Sequence, residues 1–69
     1  MKLFILMFDG EPWVDYDTKA NSLEEAECIM ARKFCKRERV NFEQVSSLQG
    51  AVNCAEGWGP EYVVKILEK

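Results

Sequence analysis

The chain has 69 residues, 48% of them apolar and 30% charged, with a formal net charge of −3 and no histidine. That length holds one domain with a small core, about 60% of the unfolded surface being buried at this size, and the apolar fraction excludes a disordered tail. Without histidine, a phosphate-binding loop, a dinucleotide fingerprint, a nucleophile elbow or metal-type cysteine spacing, the sequence reads as a non-enzyme that needs no cofactor and no metal.

Charge is spread unevenly. Residues 1 to 31 carry two lysines against seven carboxylates, residues 32 to 39 carry five bases against one acid, and the remainder carries two lysines against four glutamates. An acidic first part thus precedes a basic block. The two either neutralise each other within the fold or present a bipolar binding surface.

The chain opens on Lys2 to Phe8, a continuous apolar run that predicts a strand with little exposure on either face. It is too short for an export signal or for the ~20 residues that span a bilayer, so no membrane segment is expected. Either Leu3, Ile5 and Met7 or Phe4, Leu6 and Phe8 pack on a helix, and a second copy or a partner covers the opposite face. Asp9, Gly10, Glu11 and Pro12 supply turn chemistry, and Trp13 to Thr18 are expected to return as the second strand of a hairpin. In that strand Trp13, Asp15 and Asp17 share one face, Val14, Tyr16 and Thr18 the other. The carboxylate pair reads as a solvated edge, the alternative being a metal or acid/base pair.

Ser22 to about Arg39 predicts the main helix. Ser22 and Glu25 form a capping box, and Leu23, Ala26, Met30 and Phe34 fall in one narrow arc with Ile29 and Ala31 at its flanks. Glu24, Glu25 and Glu27 lie in the first turns while Arg32, Lys33, Lys36, Arg37 and Arg39 crowd the end, so both charge groups complement the helix dipole. The basic set is a solvated helix end or a contact for phosphate or an acidic protein. The acidic total, with no interleaved aromatics, weakens the nucleic-acid reading, which stays as a third alternative: a small nucleic-acid-associated regulator using the basic helix end. Cys28, Ala31 and Cys35 line a second stripe of small residues, either a dimer-docking groove or buried small hydrophobes. The odd set Cys28, Cys35 and Cys54 fits a reducing cytoplasm.

The stretch from Val40 to Glu56 stays open between helix and strand, with a short helix over residues 42 to 48, capped near Asn41 and closed near Gly50, slightly ahead. Gly57, Trp58, Gly59 and Pro60 predict a turn, and Tyr62 to Leu67 a final strand with Tyr62, Val64 and Ile66 on one face. Trp58 between two glycines is either an unshielded binding anchor or a lid folded over the core.

The expected architecture is α+β: an antiparallel sheet of three or four strands packed on one main amphipathic helix, in the order β-β-α-(short α or β)-β. The opening Ser22, Leu23, Glu24, Glu25, Ala26, with Gly50, Ala51, Val52 and Tyr62, Val63, Val64, Lys65, resembles the dodecin flavoproteins, which implies an oligomeric flavin carrier; the first hairpin stands outside that resemblance. In layout and size the whole chain resembles small phage-encoded accessory proteins, anti-CRISPR proteins among them. That resemblance implies a stoichiometric inhibitor that binds a host or defence complex. The leading expectation is therefore a protein-binding module using Trp13, Asp15, Asp17, Arg32, Lys33, Lys36, Arg37, Arg39 and Trp58, with a homodimer through the first strand or the Cys28, Ala31, Cys35 stripe as a further possibility.

Overall fold

The computed structural model describes residues 1 to 45 and 47 to 69. Two helices pack with a four-stranded antiparallel sheet whose central strand is β1 (Lys2–Phe8). On one edge of β1, β2 (Glu11–Pro12) pairs with Met7 and Phe8 and β3 (Thr18–Ala20) pairs with Lys2 to Phe4; on the other, β4 (Val64–Glu68) pairs with Phe4 to Phe8. The expected α+β class is the one observed.

Asp9 and Gly10 make the tight turn between β1 and β2, both at positive φ (50° and 84°), as a type I′ hairpin turn demands. Aspartate and glycine tolerate that region better than other residues, so the dipeptide fixes the register at its start.

The expected second strand over Trp13 to Thr18 is not continuous. Val14–Tyr16 forms a 3-10 turn instead, flanked by β2 and β3. A continuous hairpin would set Phe4 opposite Asp15, yet Phe4 faces Thr18, so three residues are inserted. The insertion splits the expected inner face: Tyr16 turns into the core as that face predicts, at 1% exposure, but Val14 is left 70% exposed. Burial of the larger side chain outweighs the strand alternation. The Trp13 amide still donates to the Leu6 carbonyl at 2.9 Å, and the Thr18 hydroxyl donates to the Tyr16 carbonyl at 2.8 Å, so the turn is hydrogen-bonded at both ends.

Alternation does hold in β1, where Phe4, Leu6 and Phe8 point into the core and Leu3, Ile5 and Met7 are half-buried on the outer face. By register, Lys19, Lys65 and Leu67 share that outer face. Both edges of β1 are paired within the chain, so only this outer face remains to a homodimer through the first strand. No β1 edge is free for strand addition.

Helix α1 (Leu23–Glu38) starts where the cap placed it, the Ser22 hydroxyl accepting from the Glu25 amide at 3.2 Å. Its buried face is Ala26, Met30, Ala31, Phe34 and Cys35. The expected stripe is thus rotated: Leu23 and Ile29 are 52% and 42% exposed, while two of the three small residues proposed as a dimer groove lie inside the chain's own core. Only Cys28 of that stripe is exposed.

The described part of 41 to 56 holds a 3-10 turn and a helix and no strand, but not with the expected bounds. Asn41 caps a 3-10 turn, Phe42–Gln44, its side chain accepting from the Glu43 amide at 3.0 Å. Helix α2 (Leu48–Cys54) begins where the expected helix ended, and Gly50 lies in its first turn; residue 46 of the expected helix is outside the described residues. Two groups fix this start: the Ser47 hydroxyl accepts from the Gly50 amide at 3.0 Å, and Glu27 of α1 accepts from the Leu48 amide at 3.1 Å. Each satisfies a donor that the helix itself leaves free.

Tyr62, Val64 and Ile66 pack against the core from one face as expected, although β4 itself begins only at Val64. Among the described residues no helix is long and apolar enough to cross a membrane.

A candidate aromatic binding cleft

Trp13 and Trp58 lie 45 positions apart in sequence, yet their rings meet at 5.3 Å with planes 66° apart. Three elements bring this about. The β1–β2 hairpin delivers Trp13, the glycine-rich turn delivers Trp58 and Tyr62, and Phe8 at the end of β1 forms the floor. Phe8 is 4.2 Å from the Trp13 ring and 5.4 Å from the Trp58 ring, and Trp58 meets Tyr62 at 5.0 Å with planes 69° apart. Steep angles of this kind set the positive edge of one ring against the negative face of the next. Gly57, at φ 85°, adopts the left-handed conformation that lets the chain turn just ahead of Trp58.

Trp58 is neither fully unshielded nor a sealed lid. Its ring also packs on Phe34 of α1 at 5.7 Å, and its indole N–H donates to the Glu38 carboxylate at 3.1 Å, while the residue stays half-buried. The flanking glycines do not leave the ring free, because four aromatic neighbours hold it. Phe8, Trp13, Trp58 and Tyr62, with Asp9 and Glu11 on the hairpin turn, bound an open cleft of about 450 Å³. That volume lies within the range of clefts that hold ligands, which runs from about 300 to 1,000 Å³.

Three of the five cations in the basic block turn toward aromatic faces. The Arg32 guanidinium lies 4.4 Å over the Phe42 ring, the Lys33 ammonium 4.9 Å over Tyr16, and Arg37 5.7 Å over Trp13. Lys33 also donates to the Asp15 carbonyl oxygen, and Arg37 pairs with Glu38 at 3.5 Å. The basic helix end thus meets the first part of the chain through a backbone carbonyl and aromatic rings, with no ion pair to its carboxylates among the described residues, and all five bases keep exposed side chains. Asp15 lies in the 3-10 turn and Asp17 follows it, so the pair no longer shares a strand face. Among the described residues no group of three cysteine, aspartate or glutamate side chains is placed to hold a metal ion.

Tyr16, buried beneath this end, has a phenol pushed above its usual pKa, chiefly by burial and against the pull of Arg37. Its hydroxyl has no hydrogen-bond partner among the described residues. Sequence reasoning singled out both tryptophans and the basic block. It missed Phe8, Asp9, Glu11 and Tyr62 as their neighbours, and no local pattern links those positions. A second hollow of about 280 Å³ lies between α1 and the segment before α2, but its Glu27 is already engaged by the Leu48 amide.

Comparison with known protein families, with curated proteins and with solved structures finds no match. The functional reading therefore rests on the chemistry of the cleft and of the surface around it.

Proposed function

We propose that this chain is a non-catalytic protein-binding module whose contact surface is the aromatic end of the molecule, with the basic end of α1 beside it. The observation that carries the proposal is the convergence of Trp13 and Trp58 in one open, half-exposed cleft. Tryptophan, tyrosine and arginine are the residue types that dominate binding energy at interfaces, and all three are concentrated here. On this reading the chain acts by occupying a surface of its target in a stoichiometric complex, without turnover. That is the mode of a phage-type inhibitor of a host or defence complex.

The test is native mass spectrometry of the protein purified gently from its source cells, with circular dichroism verifying the fold of each variant. The expected result is a one-to-one heteromer for the wild type that is lost in Lys36→Glu/Arg37→Glu and weakened in Trp58→Phe. Phenylalanine is the appropriate change at position 58, because alanine would remove a packed ring at a cost of about 3–5 kcal/mol. A monomer alone, a homo-oligomer carrying a small-molecule mass, or a heteromer indifferent to all three substitutions would overturn the reading.

A further inference from the structure

We infer that the cleft is a receptor for a guanidinium group, an arginine side chain that the partner lays against the cluster of Trp13, Trp58 and Tyr62; this rests on the protein-binding reading above. The walls come first. Trp58 touches Trp13 at 5.3 Å and Tyr62 at 5.0 Å, so a group entering the cleft rests on one contiguous aromatic surface. Such faces carry negative potential and attract cations within about 6 Å of the ring centre. The Trp58 N–H is already donated to Glu38, so Trp58 offers a ligand its π face and not a donor.

Charge makes the second selection. Asp9 and Glu11 are the charged residues of the lining, both exposed, and no cation lines the cleft. An anion is repelled there, and a neutral apolar group gains nothing from the two carboxylates, which stay hydrated. A cation satisfies both walls and rim. The chain shows the same preference internally, since Arg37 already lies over the Trp13 ring.

Guanidinium is favoured over ammonium for two physical reasons. It is planar and weakly hydrated, so it stacks on an indole with little loss of solvation, and its fork of donors reaches carboxylates while the plane stays against the ring. An ammonium is compact and strongly hydrated, and loses more when stripped of water against an aromatic surface.

The experiment titrates the intact protein with acetyl-Gly-Arg-Gly-amide, with its neutral citrulline isostere and with the lysine analogue, following amide and indole N–H resonances by NMR. The arginine peptide is expected to move the Trp13, Trp58 and Gly10 signals, and to bind about tenfold more tightly than the citrulline peptide, a difference within the reach of a cation–π contact. Asp9→Asn/Glu11→Gln, both at exposed positions, is expected to remove most of that difference with the fold retained; Lys69→Gln is expected to leave it unchanged. Equal binding of the citrulline or lysine peptide, shifts that map away from the cleft, or no response at all would overturn the assignment. The two readings fail separately: a heteromer that survives Asp9→Asn/Glu11→Gln removes the arginine receptor and leaves the binding module. A cleft that takes the arginine peptide while no heteromer forms in cells does the reverse.

Discussion

Arg39 ends α1 at φ 58°, in the left-handed region that costs a residue with a side chain about 1–2 kcal/mol, and its amide and that of Val40 both return to the Cys35 carbonyl. Arg39→Gly should therefore raise the denaturation midpoint by the equivalent of about 1 kcal/mol, measured by urea titration. A midpoint that falls would mean the arginine side chain contributes more at this position than the backbone conformation costs. Tyr16 poses the opposite case, a buried hydroxyl with no hydrogen-bond partner among the described residues. Tyr16→Phe is expected to stabilise the fold by about 1 kcal/mol, since it removes an unsatisfied polar atom and keeps the ring. The same substitution has a signature in pH. Burial raises both the Tyr16 phenol and the Cys35 thiol in the folded state, so each holds its proton where the unfolded chain has released it. Their contribution is complete below the ordinary thiol value of ~8.5 and is lost as pH rises through that value, and then through ~10 for the phenol, toward the folded values. Thermal melts from pH 7 to 11 should decline in that order, with Cys35→Ala flattening the earlier part and Tyr16→Phe the later.

Among the elements, β4 depends on a side chain of α2. The Gln49 amide donates to the Tyr62 carbonyl at 2.9 Å and its oxygen accepts from the Val64 amide at 2.9 Å, so one side chain pairs with the backbone on both sides of Val63 as a strand would. Gln49→Ala should cost about 1–3 kcal/mol if both groups are left without replacements, and amide exchange at Val64 should accelerate more than exchange at Leu6. Gln49→Glu keeps the acceptor but turns a second acceptor toward the Tyr62 carbonyl, and should be no better than alanine. This clasp also shows what was legible in the sequence and what was not. Signals that act over a few residues were readable: the Ser22 cap, the Asp9-Gly10 turn, the apolar run of β1 and the facing of Tyr62, Val64 and Ile66. Where the outcome depended on distant groups, local patterns misled. Glu27 helps set the start of α2 from 21 positions away, and the core draws in Tyr16 and breaks the expected second strand. The candidate site divides in the same way. Trp13 and Trp58 stand out by residue type, but their meeting over Phe8 is a property of the folded chain.

At the scale of the whole molecule, the aromatic cleft and the core share one residue. The Phe8 ring lies within 4.2 to 6.4 Å of Trp13, Tyr16, Phe34 and Trp58, which joins the hairpin, the 3-10 turn, α1 and the glycine-rich turn through a single side chain. A domain of 69 residues has a stability on the order of 3–10 kcal/mol at 0.05–0.15 kcal/mol per residue. Removing a buried phenylalanine costs about 3–5 kcal/mol, so Phe8→Ala should lose most of the fold and Phe8→Leu should keep it with a lower midpoint. Circular dichroism and the dispersion of amide resonances distinguish these outcomes; a folded Phe8→Ala would mean that the aromatic cluster contributes little to stability. The consequence for binding follows from linkage. A ligand seated in this cleft contacts rings that also hold the domain together, so occupancy at a hundred times the dissociation constant should raise stability by about 2.7 kcal/mol. The melting temperature of the wild type should rise with the arginine peptide, and that of Asp9→Asn/Glu11→Gln should not. A rise of equal size in both would place the peptide outside the acidic rim, and with it the point of contact.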